Sequence, residues 1–274
     1  MKLNIFNIVV GVLAVVFVLL FFLKAPVEKV APQLPPDFKN ITYRVGNENV
    51  PLVNGFAERE VVPGSASHIV IKYFGSEAMG DLNGDGIEDV AFILTQETGG
   101  SGTFYYLAVA LKNPDESYES LATIFLGDRI APQPAKIQNG LLTIHYVGRK
   151  PGDTMTTPPS VAISRYFTVE NDALVERMSF GAETTLKIGE KETFSDGLTI
   201  TLSQINDSRC KKDVVCIWAG ELSPTLLATG GDFFRQTQEI ILGTTKTKIV
   251  IVGNYTFELK EAIENAATIM VTKQ

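Results

Sequence analysis

Histidine, cysteine and tryptophan are nearly missing from this chain. Its 274 residues include two histidines, two cysteines and one tryptophan. So few histidines leave little scope for acid–base catalysis near neutral pH. Two cysteines with no histidine beside them cannot complete a zinc site, which takes about four ligands. Their C-x5-C spacing also excludes the thioredoxin-like C-x-x-C arrangement. Positive charge is short as well: from Lys39 onward there are 21 basic and 29 acidic residues, a net charge of −8. That balance argues against nucleic acid or anionic lipid as a partner, since both need a basic face. No tandem repeat is present.

Long apolar runs are confined to one place. Residues Ile5 to Leu23 read IFNIVVGVLAVVFVLLFFL without a charge. At about 1.5 Å rise per residue, a helix of this length matches the roughly 30 Å of a hydrocarbon core. A cleaved signal peptide is the rival reading, but its apolar region is usually about 7–15 residues and ends at a small-residue site. Here the run exits through Phe21, Phe22, Leu23 and Lys24, with no such site and no cysteine for lipidation. Residues 1–24 are therefore expected to form an uncleaved transmembrane signal-anchor. Lys2 on one side and Lys24, Lys29 and Lys39 on the other leave the positive-inside count near a tie. Residues 25–39 contain APVEKVAPQLPPDF, whose prolines lack an amide donor and restrict φ, so an extended linker is expected.

Beyond the linker the texture is strand-like. IVIKYF, VAFILT, FYYLAVAL, LLTIHYV, LTITLSQI, KIVIV and TIMVTK are rich in β-branched and aromatic residues and mostly bounded by Gly, Asn, Asp or Pro. The fold class expected is mainly β, with two small sandwich-like domains at 40–178 and 183–274 divided near SFGAET. One short helix is expected near Glu258 to Ala267. TQETGGSGTFYYLAVAL predicts a hairpin turning at Gly99 to Gly102. Ser101 in that turn is no nucleophile elbow, because Thr103 stands where the closing glycine belongs and a strand follows.

The most informative segment is GDLNGDGIEDVAFIL. Asp81, Asn83, Asp85 and Asp89 stand at positions one, three, five and nine of a D-x-N-x-D-G-x-x-D pattern. Calcium takes about six to eight hard oxygen ligands, and alternate oxygen-bearing side chains on a tight loop can wrap one ion. Gly84 and Gly86 permit the dihedrals such wrapping needs. An EF-hand is excluded, because position twelve is Phe92 inside a strand. The loop resembles the calcium-binding hairpin loops of FG-GAP repeats over about fifteen residues. That resemblance implies a structural calcium ion held by Asp81, Asn83, Asp85, the backbone of Ile87, and Asp89. An Asx-rich turn without metal is the alternative.

The second cluster is NDSRCKKDVVCIWAGE, which holds Cys210, Cys216 and Trp218. In an exported chain, two cysteines this close form one disulfide; in a cytosolic chain they stay reduced. Residues 183–273 resemble an uncharacterised bacterial β-domain of secreted and lipoprotein-type chains. The resemblance is carried by Asp196-Gly197-Leu198 and by Asp207, Ser208, Arg209, Cys210, Cys216, Trp218, Ala219 and Gly220. It implies a family but no activity. Trp218 is expected to pack over the disulfide, and Asp207 and Arg209 to pair with each other or cap the loop.

His68 and His145 both fall in or beside strand-like runs. His145 shares a strand face with Thr143 and Val147, opposite Leu142, Ile144 and Tyr146. No second acid cluster accompanies Asp81 to Asp89, so no catalytic constellation is legible. Two readings follow. One is a membrane-anchored, non-enzymatic binding or scaffolding module stabilised by calcium; the other is a cell-envelope hydrolase with a concealed site. A disulfide and a calcium loop both favour an extracytoplasmic body with the amino terminus in the cytoplasm, partnered by the membrane and by envelope or cell-surface components.

Overall fold

A computed structural model describes residues 37–274, except 151, 155, 212 and 213. The expected anchor and most of the linker lie outside the described residues. Among those residues no helix is long and apolar enough to cross a membrane. Their regular structure is 21 strands and one 3-10 turn, Phe38–Asn40, so the chain is mainly β as expected.

Two strands organise the first block. Asp89–Glu97 and Thr103–Lys112 pair antiparallel around the Gly99 to Gly102 turn; the first is buried along most of its length, the second from Leu107 to Leu111. They lie inside a six-stranded sheet that also contains Phe56–Glu60, His68–Gly80, Tyr118–Ser120 and Ile124–Asp128. Successive strand residues point to opposite faces, which sorts the apolar run VAFIL into two sets. Ala91 and Ile93, with Leu107, Val109 and Leu111, meet Leu142, Ile144, Tyr146 and Phe167 of a five-stranded sheet. Phe92 and Leu94, with Ala108 and Ala110, meet Phe38, Tyr43, Val45, Val50 and Leu52 on the other side. Most of those last residues belong to the hairpin Thr42–Val45 and Glu48–Pro51. The result is three layers, with the six-stranded sheet in the middle.

Residues 183–273 form two antiparallel four-stranded sheets. One runs Glu183–Lys187, Ala266–Lys273, Tyr255–Ile263, Ile249–Val252. The other runs Lys191–Thr193, Thr199–Asp207, Leu222–Gly230, Phe233–Ile241. Leu198, Ile200, Leu202, Leu226, Ala228 and Ile240 face Tyr255, Phe257, Leu259, Ile269 and Val271 across a single core, a sandwich arrangement. Met178 and Phe180, in the segment joining the two blocks, pack against this second core.

The helix expected at Glu258 to Ala267 is replaced by a hairpin. ELKEAIENAA holds good helix formers, but Tyr255, Phe257 and Leu259 alternate inward with period two and bury on the sandwich core. A bulge between Leu259 and Glu261 then shifts the register, which hides the alternation in the sequence.

Phe92 tests the middle layer. Its ring lies 5.1 Å from Phe38, 5.4 Å from Tyr43 and 5.6 Å from Tyr73, with 1% of its surface exposed. Phe92→Ala is expected to cost about 3–5 kcal/mol in a denaturant titration. A loss below about 1 kcal/mol, the scale of a volume-conserving swap, would contradict the three-layer packing.

Candidate functional site

Residues 81–89 connect the long strand His68–Gly80 to the central strand Asp89–Glu97. The loop is held by its own acidic and amide side chains. Asp81 accepts the Gly84 amide on Oδ1 at 2.7 Å and the Gly86 amide on Oδ2 at 2.9 Å. Asn83 Oδ1 accepts the Asp85 amide at 3.0 Å, and Asp85 Oδ1 accepts the Ile87 amide at 2.7 Å. Gly84 and Gly86 sit at φ of +83° and +84°, the left-handed region that side chains avoid. Shallow clefts flank the loop, one lined by Asp81, Asn83 and Gln138, the other by Ile87, Asp89 and Lys112.

Asp89 differs from its neighbours. It is fully buried at the start of the central strand. Its Oδ2 accepts the Leu82 amide and its Oδ1 the Lys112 amide, both at 2.9 Å. One carboxylate thus ties the loop's beginning to the far end of the neighbouring strand. Burial pushes its pKa above the usual carboxylate range, backbone amides pull it down, and Asp85 raises it further. No cationic side chain is among these influences.

The donor chemistry fits a hard cation. The side-chain oxygens of Asp81, Asp85 and Asp89, and Oδ1 of Asn83, accept hydrogen bonds within the loop or from Lys112, and an oxygen with one such bond keeps a second lone pair. Among the described residues, however, no three His, Cys, Asp or Glu side chains gather as a metal-holding group. Asp81, Asp85 and Asp89, the three carboxylates of the expected set, therefore do not converge as one such group.

The two cysteines form a disulfide, with Cα atoms 6.0 Å apart. The loop they close is pinned at its neck: the Cys210 amide donates to Ala219 O at 2.9 Å and the Ser208 amide to Glu221 O at 3.0 Å. Gly220 is obligatory there, since a Cβ would lie 1.8 Å from Ser208 O. Asp207 and Arg209 do pair, through a bidentate contact at 2.9 and 2.7 Å. That contact, and the Arg209 amide, hold the Asp207 carboxyl down at about 2. Trp218 is 47% exposed, with Lys246 Nζ 4.2 Å from its ring centroid.

Glu221 escaped the sequence reading. It is buried, and its Oε2 accepts the Thr245 amide and hydroxyl at 2.8 Å and the Lys246 amide at 3.2 Å. The Thr245 bonds, chiefly the amide, hold its pKa below the ordinary value. A second unread group joins Lys273 Nζ to Asp196 at 2.8 Å and Asp232 at 2.9 Å, with Tyr255 OH donating to Asp196 at 2.5 Å. Only Asp196 carried a local signal, as part of a turn motif.

The two histidines make separate two-residue contacts. His145 Nδ1 lies 2.8 Å from Ser164 Oγ on the paired strand, and the burial alternates as expected, with Leu142, Ile144 and Tyr146 inside. His68 Nδ1 lies 3.0 Å from Glu58 Oε1. Glu58 lines an apolar groove with Val50, Phe56, Ile69 and Ile71, but that lining offers no hydroxyl or thiol nucleophile. Ser101 sits exposed in its hairpin turn.

No family model matches the chain, and neither does any curated protein or solved structure.

Two stability measurements follow. Asp89→Asn turns an N–H2 toward one of two backbone amides, and is expected to lower unfolding free energy by about 1–3 kcal/mol; an unchanged denaturant midpoint would refute the brace. Glu221 titrates lower when folded, so its contribution is complete above the unfolded Glu value and is lost as pH falls through the folded one. Glu221→Gln is expected to flatten the acid limb of the stability profile, and an acid limb identical to the wild type would contradict it.

Proposed function

We propose that this chain is a membrane-anchored, extracytoplasmic, non-enzymatic β-module, built as two domains, whose 81–89 loop binds a structural calcium ion. The observation that carries the calcium reading is the loop's arrangement: Asp81, Asn83 and Asp85 present oxygens on a tight glycine-bearing loop closed by the buried Asp89. A divalent cation there would offset the charge of these carboxylates. Oxygens of Asp81, Asn83 and Asp85 remain at the loop surface to reach it, with Ile87 contributing its carbonyl.

The disulfide supports the extracytoplasmic side of this reading, since such bonds persist in oxidising compartments. The apolar run at residues 5–23 supports the anchor. A binding or scaffolding role fits a body whose clefts flanking the loop are shallow and whose apolar groove beside Glu58 is lined by no hydroxyl or thiol.

The deciding experiment is a thermal melt titrated with calcium after chelator treatment. At free calcium about 100 times Kd the native state gains about 2.7 kcal/mol, so the wild-type transition is expected to rise and the Asp85→Ala transition to stay put. A wild-type melting temperature indifferent to calcium would sink the metal site.

A further inference from the structure

One edge of the six-stranded sheet is left open beside a groove. Phe56–Glu60 ends that sheet, and Glu48–Pro51 ends the small hairpin sheet next to it. The two arms are joined by Val53 and Phe56, which exchange both backbone bonds at 2.9 and 3.1 Å. Beyond that bridge, among the described residues, neither outer edge pairs with a further strand. Register fixes where the backbone groups of Phe56–Glu60 point. Gly55 O accepts the Tyr73 amide and Val61 donates its amide to Ser67 O, both toward His68–Gly80, whereas Phe56 turns both of its groups away. By the two-residue repeat of an antiparallel ladder, Glu58 and Glu60 also aim theirs outward.

Where the arms part they leave an apolar groove of about 490 Å³, with Val50, Ala57, Ile69 and Ile71 in its lining. Ala57 lies opposite Ile71 and Arg59 opposite Ile69, so these side chains share the groove face of the sheet. Arg59 reaches across to pair with Glu48 of the other arm. An unpaired edge with an apolar groove on one face suits an extended peptide: ladder bonds supply affinity, and alternate side chains enter the groove.

Charge selects the occupant. Glu58 and Glu60 are exposed at the outward positions. Antiparallel pairing with a second copy must match outward positions to outward positions. The full-length register then sets Glu58 against Glu58, and a two-residue slip sets Glu58 against Glu60 and Arg59 against Arg59. Like charges directly opposite destabilise a strand pair, and charged edges guard sheets against such self-association. The local cations are Arg59, held by Glu48, and His68, 3.0 Å from Glu58; they do not balance Glu48, Glu58 and Glu60. A strand carrying lysine or arginine at the facing positions meets no such repulsion, and the chain's negative balance steers it inward.

We infer that the outer edge of Phe56–Glu60 binds an extended segment of a basic partner protein by strand addition. An aliphatic side chain opposite Ala57 enters the groove, and basic side chains stand opposite Glu58 and Glu60. The inference rests on the binding role proposed above and names its partner class; it needs neither the calcium ion nor the anchor.

The full chain in detergent micelles is titrated into a fluorescein-labelled seven-residue peptide alternating lysine and valine, with polarisation as the readout. Saturable binding is expected, and hydrogen exchange at the Glu58 amide is expected to slow in the complex. Glu58→Lys, at an exposed position, should keep the melting temperature and weaken this peptide about tenfold. The same variant should bind the corresponding glutamate–valine peptide more tightly than the wild type does. A peptide N-methylated at its lysine amides keeps its charge but loses the ladder bonds, so it should not bind. Absence of binding, equal affinity for the N-methylated peptide, or an unprotected Glu58 amide would each overturn the inference. Protection of Glu58 that grows with protein concentration in the absence of peptide would assign the edge to a second copy and overturn it too. The calcium-titrated melt keeps the two readings apart. A calcium-raised transition without peptide binding refutes strand addition alone, and peptide binding with a calcium-indifferent transition refutes the metal alone.

Discussion

The pairing of Asp89–Glu97 with Thr103–Lys112 is the constraint on which the first block depends. Each strand is buried on both faces, so each supplies two cores at once. Such strands must be apolar at nearly every position, and their register must be held, because a slip by one residue would exchange the two sets of side chains. The short Gly-rich turn holds one end of the pair. Asp89 holds the other, by accepting the Lys112 amide across the strand ends. Structure and the candidate site therefore share one residue: the carboxylate that braces the register also closes the 81–89 loop.

The second block solves the same burial problem differently. Its two sheets share one core, and Thr199 to Leu202 alternates in burial accordingly. The ends of the sandwich are closed by polar contacts. Glu221 closes one turn through three bonds to Thr245 and Lys246, while Lys273 draws Asp196 and Asp232 together. Those bonds join residues far apart in sequence, and the lysine is held charged, its pKa raised chiefly by Asp196.

Legibility in the sequence followed the range of each interaction. The β class, the Gly99 to Gly102 hairpin, the face of His145 and the Asp207–Arg209 pair all depend on periodicity or on neighbours a few residues apart, and all are present. The Glu258 to Ala267 segment was misread because local helix propensity is strong there, while the competing signal, burial of Tyr255, Phe257 and Leu259, is broken by a bulge. Trp218 was expected to pack over the disulfide; nothing local marks it as standing under Lys246, which comes from a distant segment. The Lys273 network spans 77 residues between its partners and has no local signature at all. Of the candidate loop, the donor types were readable, but the double role of Asp89 was not, since its second partner comes from a different strand.

Phe38 ties the amino-terminal hairpin layer to the six-stranded sheet. Phe38 is buried among Tyr73, Phe92 and Tyr118, and its carbonyl accepts the Tyr43 hydroxyl at 2.7 Å. Without that layer Phe92, Leu94, Ala108 and Ala110 would face water, so the smallest sheet of the first block is the lid on one of its two cores.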